Sequence, residues 1–338
     1  MILRTLRPSY SLRPIQSLPS LAVALGISEV ELVGLIRKAP SLYREGKKPK
    51  DDGTFRIYYD ALEPLKTIQG RLLRKILDRV TWPPYLFGGV QDPCNPRDYV
   101  GNANIHSGAA LQFKTDVTSF FPSIKADLVL RIWDGVFRFS HPVSDALTAL
   151  TTYRGFLPQG TRTAQALANL AFWDVEPEII AQLAVMDFQY TRLTDDITIS
   201  TNDPRAVKQL GKAIQLIHGM LRSRGFRRKG KKERISTQRG PMLVNNVLTN
   251  RRPSLPGKKR NEIAREVISL VRRMEIAGHP LLPREESELR HVAGRLNTLA
   301  RFHPREAQRL GTLLYGVLPP PTAKSTGVWR WANKQSPN

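Results

Sequence analysis

Hydrophobic positions in residues 20–40, SLAVALGISEVELVGLIRKAP, recur at helical spacing and break at Gly26 and Pro40. The spacing predicts two short helices, with Ser28 as N-cap of the second. Residues 43–60, YREGKKPKDDGTFRIYYD, read as two strands around a lysine-rich connection that turns at Asp51-Asp52-Gly53. Over residues 61–80, Leu62, Leu65, Ile68, Leu72, Leu73 and Ile76 line one side of an amphipathic helix, with basic residues opposite. Pro and Gly then crowd residues 81–110 and predict loops.

ALQFKTDVTSFFPSI is an apolar strand that ends in a carboxylate, Asp116. Helical stretches follow near 125–138 and 142–153, and the tight turn LPQG, 157–160, leads into a long helix. YTRLTDDITIS, 190–200, has two β-branched runs around an Asp195-Asp196 pair and predicts a hairpin. Residues 205–225 are helical, GPMLVNNVLTN is strand-like, and 258–317 are helical with breaks near AGHPLLP and at Pro304. The segment 319–338 reads as an extended tail that Trp329 and Trp331 would dock. Helices mixed with hairpin signals predict an α+β fold, and the last helices predict a separate lobe.

Charge changes the picture. The chain of 338 residues carries 52 Lys and Arg against 29 Asp and Glu, a formal net charge of +23. Such an excess attracts polyanions, because each neutralised phosphate releases counterions. The absence of an apolar run of about eighteen residues, and of a signal peptide, predicts a soluble cytoplasmic protein with no membrane partner. Cys94 is the single cysteine, and the 6 histidines are scattered. A single cysteine excludes a cysteine-rich zinc site and the absence of a His-x-x-x-His pair argues against a histidine site, which points to a hard cation on carboxylate oxygen.

Two adjacent aspartates make a poor turn, since tight hairpins favour Asn-Gly or Asp-Gly. Taken alone, Asp195-Asp196 is a solvated turn, and Asp116 a strand-end or N-cap residue. Neighbouring strands would instead bring Asp116, Asp195 and Asp196 together. Two divalent cations about 4 Å apart would neutralise that cluster and suit in-line phosphoryl transfer. The residues from Asp116 to Phe121 would then turn beneath a triphosphate with backbone N–H groups facing it, while Phe120 packs in the core. RSRGFRRKGKKER, residues 222–234, adds eight basic residues and one glutamate, a local net charge of +7. Arg227, Arg228, Lys229 and Lys231 within it, and Arg290 and Arg295 later in the chain, are candidate phosphate contacts.

FKTDVTSFFPSI, GFLPQG and YTRLTDDITIS resemble, in order and spacing, three core motifs of reverse transcriptases. NANIH, with Asn102, Ala103 and His106, is similar to a motif of the retron branch. PKDDGTFRIYYDALEPLKTIQGRLLRKIL and HVAGRLNTLARFHPREAQRL resemble the fingers and thumb of those enzymes. The resemblance implies a right-hand polymerase: N-terminal helices and fingers over 1–110, palm over 111–255, helical thumb over 256–318, and the tail. It implies that Asp116, Asp195 and Asp196, with the Val117 carbonyl, hold two Mg2+ ions, with Mn2+ an alternative. Lys50 and Arg56 would grip the triphosphate, Phe121 would exclude a ribose 2′-OH, Gln159 would meet the nascent pair, and Lys232 would lie near the leaving phosphate. Asn102 and His106 would contact nucleic acid. The implied function is RNA-directed DNA synthesis on a structured non-coding RNA from deoxynucleoside triphosphates, in anti-phage defence with an effector protein. A related non-retron defence enzyme, or a non-catalytic RNA-binding module, are the alternatives. Four departures from the family pattern stand out: Leu193-Thr194 before the aspartates, Arg162-Thr163-Ala164-Gln165 after the Gln-Gly, Lys229, and Val244-Asn245-Asn246.

Overall fold

The computed structural model describes residues 5–50, 53–92, 97–277 and 283–317. The expected turn at 51–52, Cys94 and the tail 319–338 lie outside them. The chain forms two compact units, Met1–Met242 and Leu243–Asn338.

The first unit opens with β1 (Ser9–Tyr10), α1 (Leu18–Leu25) and α2 (Glu29–Lys38). Gly26 ends α1 in the left-handed region at φ +68°. Ser28 starts α2 with a capping box: its hydroxyl accepts from Glu31 N, and the Glu31 carboxylate accepts from Ser28 N at 2.7 Å. Next comes the hairpin of β2 (Tyr43–Pro49) and β3 (Phe55–Ala61), then α3 (Leu65–Lys75), which buries Leu65, Ile68 and Leu72. Short strands β4 (Val80–Thr81) and β5 (Leu86–Phe87) lead to α4 (Tyr99–Ile105).

The rest of this unit is built around β6 (Leu111–Asp116). After it come α5 (Phe120–Ser123), α6 (Ala126–Gly135), α7 (His141–Thr151), α8 (Ala164–Asn169) and α9 (Glu176–Val185). The sequence predicts one long helix after LPQG; the structure has two, α8 and α9. Pro177 explains the break, because a ring without an N–H is tolerated only in a first helical turn. The expected hairpin is β7 (Gln189–Leu193) and β8 (Asp196–Thr201), followed by α10 (Val207–Ser223) and β9 (Arg234–Thr237).

These strands form a five-stranded sheet in the order β5-β7-β8-β6-β9. Only the β5–β7 pairing is parallel. Strand β6 is hydrogen-bonded on both edges, to β8 and β9. Being central, it is buried on both faces and lacks the alternation of a half-exposed strand. Phe113, Ile197 and Ile199 join one continuous core with Phe120, Leu167, Phe172 and Leu183.

His106, just past α4, is fully buried. Its ring nitrogens lie 2.7 Å from Thr191 Oγ1 on β7 and 2.7 Å from Ser200 Oγ on β8. One nitrogen donates and the other accepts, so the neutral ring satisfies both hydroxyls. Burial pushes the imidazole pKa down to about 3. Asn102 is equally buried. Both were expected at the nucleic acid; neither has surface to offer one, and the motif instead fixes α4 against the sheet.

The second unit begins with β10 (Leu243–Val244) and β11 (Val247–Leu248), joined through Asn245 and Asn246 at φ +48° and +64°. Two consecutive left-handed residues make a mirror-image hairpin turn, and Asn tolerates that region best after Gly. Helices α11 (Gly257–Ala277), α12 (Pro283–Ala300) and α13 (Pro304–Gly316) then pack around Ile263, Val267, Leu296, Leu299 and Leu310. Among the described residues no single helix is long and apolar enough to cross a membrane.

His106→Ala should lower unfolding stability by about 2–4 kcal/mol, since it opens a cavity and strands two buried hydroxyls. Urea unfolding monitored by circular dichroism checks this; an unchanged midpoint would return His106 to a surface role.

Candidate active site

Antiparallel register decides where the acids meet. Asp116 at the end of β6 is the direct Cα partner of Asp196 at the start of β8. Leu193 pairs with Asp196, so Thr194 and Asp195 form a two-residue hairpin tip. Asp195 folds back on β6, its carbonyl accepting from Val117 N at 3.2 Å. Three aspartates thus converge at one end of the central strand pair. Burial raises the Asp195 carboxyl to about 6, and the Asp196 and Asp116 charges push the same way.

Basic groups answer that cluster. Lys232 Nζ is ion-paired with Asp116 Oδ2, and this contact raises the lysine's pKa. Lys114, two residues before Asp116 and so on the same face, has its pKa lowered, first by burial. The basic segment is strapped along the sheet by its backbone: Thr118 N donates to Arg227 O at 2.8 Å, and Lys229 N to Asp116 O at 2.7 Å. Val117 bridges to Arg228 in the same strap. Glu233 anchors it, accepting from Thr115 Oγ1 at 3.1 Å and from Arg228 at 2.6 Å, with His218 Nε2 2.8 Å away.

The acids do not close into a finished metal cage. Among the described residues no group of three His, Cys, Asp or Glu side chains is gathered tightly enough to hold an ion. Lys232 occupies one oxygen of Asp116. The donor chemistry, three carboxylates around one strand end, nevertheless fits a hard divalent cation.

Behind the hairpin lies a buried ion pair that sequence reading missed. Arg192 is fully buried and meets both Glu176 oxygens, at 2.6 and 2.8 Å. Tyr190 OH donates to Glu176 Oε1 at 2.6 Å. Arg192 also donates to Asn169 O at 2.9 Å and to Thr194 O at 3.0 Å. The same guanidinium lies 5.1 Å from the centre of the Phe172 ring. One side chain thereby ties the break between α8 and α9 to the hairpin tip. Its signal was in the sequence: a charge at an inward position of an apolar strand requires a buried partner.

Phe120 is buried against Phe172 and Phe226, as expected of a core residue. Its neighbour Phe121 is only partly buried, in the four-residue α5 that follows Ser119 at φ +48°. Lys50 and Arg56 share the tip of the β2–β3 hairpin, where Lys50 N donates to Thr54 O at 2.8 Å and Arg56 pairs with Lys48. That hairpin docks on the LPQG turn: Tyr59 N donates to Gln159 O at 2.7 Å. A side chain at Gly160, φ +108°, would meet Tyr59 O at 2.9 Å, so the close approach requires glycine.

Arg227, Arg228 and Lys231 lie on the surface, and Arg290 is exposed beside Glu286 at 3.7 Å. Arg295 corrects an expectation. Its guanidinium is ion-paired with Glu266 and lies 3.5 Å from Glu262, so it braces α12 on α11 rather than presenting a surface cation.

The sheet, with acids at the β6 end and at the tip of its neighbouring hairpin, lies within an α+β fold, as the sequence predicts. Sequence comparison narrows the class. No family model matches the chain. It is 33% identical over 220 residues to the retron Se72 reverse transcriptase of Salmonella heidelberg, covering 64% of this chain and 56% of that one. It is 34% identical over 202 residues to the retron Ec48 reverse transcriptase of Escherichia coli, covering 57% and 49%. Against the retron Ec86 reverse transcriptase of Escherichia coli it is 27% identical over 303 residues, 88% of each. The matches thus span about half the length of the first two relatives and most of the third. Among solved structures, the apo telomerase of Candida tropicalis, truncated from its C-terminal domain, covers 68% of this chain and 61% of its own at 11% identity and a TM-score of 0.44. Over much of its length the chain is thus similar in sequence to several retron reverse transcriptases.

Two outcomes follow from the site. Because the folded Asp195 holds its proton more tightly than an ordinary aspartate of 3.8, it favours folding at low pH and loses that contribution as pH rises through about 6. In chelator, Asp195→Asn should therefore melt progressively higher than wild type as pH climbs from 4 to 7. A pH-independent difference between the two melting curves would show an unperturbed carboxyl. Glu176→Gln should destabilise by roughly 3–5 kcal/mol, because it strands a buried guanidinium. Replacing Glu176 and Arg192 together with apolar residues should cost less than that single change, measured by chemical denaturation.

Proposed function

We propose that the protein is a cytoplasmic RNA-directed DNA polymerase that copies a structured RNA into DNA. The observation that carries this reading is the meeting of Asp116, Asp195 and Asp196 at one end of the β6–β8 pair, in a chain related to retron reverse transcriptases.

In this reading the three carboxylates and the Val117 carbonyl hold magnesium, with manganese able to replace it. The ions supply charge neutralisation for in-line nucleotidyl transfer. The reaction joins a primer hydroxyl oxygen to the α-phosphorus of a deoxynucleoside triphosphate and releases pyrophosphate. The protein's own share is positioning and charge. Lys50 and Arg56 bind the triphosphate from the β2–β3 hairpin. Phe121 stands against the sugar, where an aromatic ring excludes a 2′-hydroxyl. Gln159 meets the nascent pair from a turn already tied to that hairpin. Lys232 keeps a proton on Nζ beside Asp116, near the departing phosphate. Arg227, Arg228, Lys229, Lys231 and Arg290 contact nucleic-acid phosphates, and the helices of the second unit act as the thumb. A role in anti-phage defence, and an effector protein, enter this reading through the family resemblance and not through any residue of the site.

Asp195→Asn combined with Asp196→Asn should abolish magnesium-dependent incorporation of labelled deoxynucleotides on a primed RNA template, while RNA affinity stays within about twofold. Full synthesis by the double variant would refute the assignment. No synthesis by the wild-type protein, with tight RNA binding, would favour a non-catalytic RNA-binding module.

A further inference from the structure

Two of the positions where the chain departs from the family pattern touch each other. Gln165 Nε2 donates to Thr194 Oγ1 at 2.8 Å and to Gly88 O at 3.2 Å. We propose that Gln165 is a positioning residue for the acidic hairpin, holding Thr194 so that Asp195 faces Asp116. The proposal rests on the reading of these aspartates as metal ligands.

Thr194 is the residue that needs holding. It sits at φ +59°, a region that β-branched side chains rarely adopt. Such a conformation persists only where its surroundings over-determine it. Here Thr194 is gripped at both ends: its carbonyl accepts from Arg192 at 3.0 Å and its hydroxyl from Gln165. Asp195 follows directly, and its carbonyl is the acceptor for Val117 N. Rotation at Thr194 therefore swings Asp195 away from β6.

The neighbourhood is shaped for this contact. A Cβ at Gly89, φ +69°, would lie 2.1 Å from Gln165 Cγ, so a side chain there would displace the glutamine. A Cβ at Gly88, φ +79°, would come within 3.1 Å of Thr194 Oγ1. Asn169, one turn further along α8, donates to the same Gly88 carbonyl at 2.9 Å. Helix α8 thus ties the Gly88-Gly89 turn to the hairpin tip through two amides, and Gln165 is the one that reaches Thr194. A glutamine that served only as filler would not need its amide aimed at a hydroxyl inside a glycine-cleared space.

The test uses the full chain with Gln165→Met, Thr194→Ala, Thr194→Ser and the Gln165→Met/Thr194→Ala double variant. Metal dependence is read in two ways: the magnesium concentration for half-maximal primer extension, and direct Mn2+ affinity by electron paramagnetic resonance. Losing one positioned hydrogen bond should weaken metal binding roughly fivefold in both readouts for Gln165→Met and Thr194→Ala. The double variant should be no worse than either single one, because both remove the same contact. Thr194→Ser keeps the hydroxyl and should stay near wild type. Unchanged metal dependence in a folded Gln165→Met protein, or fully additive losses in the double variant, would overturn the proposal. If Gln165→Met does not fold, the contrast between Thr194→Ala and Thr194→Ser decides: equal metal affinities would overturn the proposal. A wild-type protein without Mn2+ binding at the aspartates would instead defeat the polymerase reading itself.

Discussion

Setting Asp116 directly opposite Asp196 is a choice that antiparallel sheets normally avoid, because like charges on facing positions repel. Much of the first unit reads as a response to that pair. Register must be exact in its effect: a slip of one residue would turn Asp116 to the other face of the sheet. Strand β6 resists slipping because β8 and β9 grip it on both edges. Lys232 supplies the opposite charge, from a basic strap that backbone bonds to β6 and the contacts of Glu233 with Thr115, His218 and Arg228 hold in place. Burial first, and the Asp196 and Asp116 charges after it, raise the proton affinity of Asp195.

A second layer holds the hairpin from behind. Arg192 and Glu176 are both buried, so neither charge is tolerable without the other. Their pairing costs desolvation, and its return is geometric. The planar guanidinium fixes Asn169 O and Thr194 O at once, setting helix and hairpin in one frame. Rigid support of this kind is what a site that works by positioning requires.

The elements whose signals are local were legible in the sequence. Ser28 announced a helix start, the apolar run to Asp116 a strand, and the β-branched runs around Asp195-Asp196 a hairpin. Tertiary facts were not. Nothing in NANIH says that His106 points inward to two hydroxyls, since that depends on where β7 and β8 lie. Arg295 looked like one more cation on a basic helix, and only the packing of α12 on α11 sets Glu262 and Glu266 beside it. The continuous helix expected after LPQG stops because Glu176 is needed inside as the partner of Arg192 and Pro177 opens a new first turn. Gln165 and Thr194 each looked like drift from a family motif, and only their juxtaposition gives them a common reason.

Strand β9 is the outer strand of the sheet on the β6 side, four residues long and mostly exposed. An open edge offers unpaired backbone groups to any other strand, including that of a second copy. Here it starts at Arg234, separated by Glu233 from the basic stretch that ends in Lys231-Lys232. Two molecules approaching edge to edge would bring those stretches together, and the repulsion would turn them away before the backbones could pair. The charge to which the proposed function assigns phosphate binding would therefore also oppose edge pairing, and salt would weaken that repulsion.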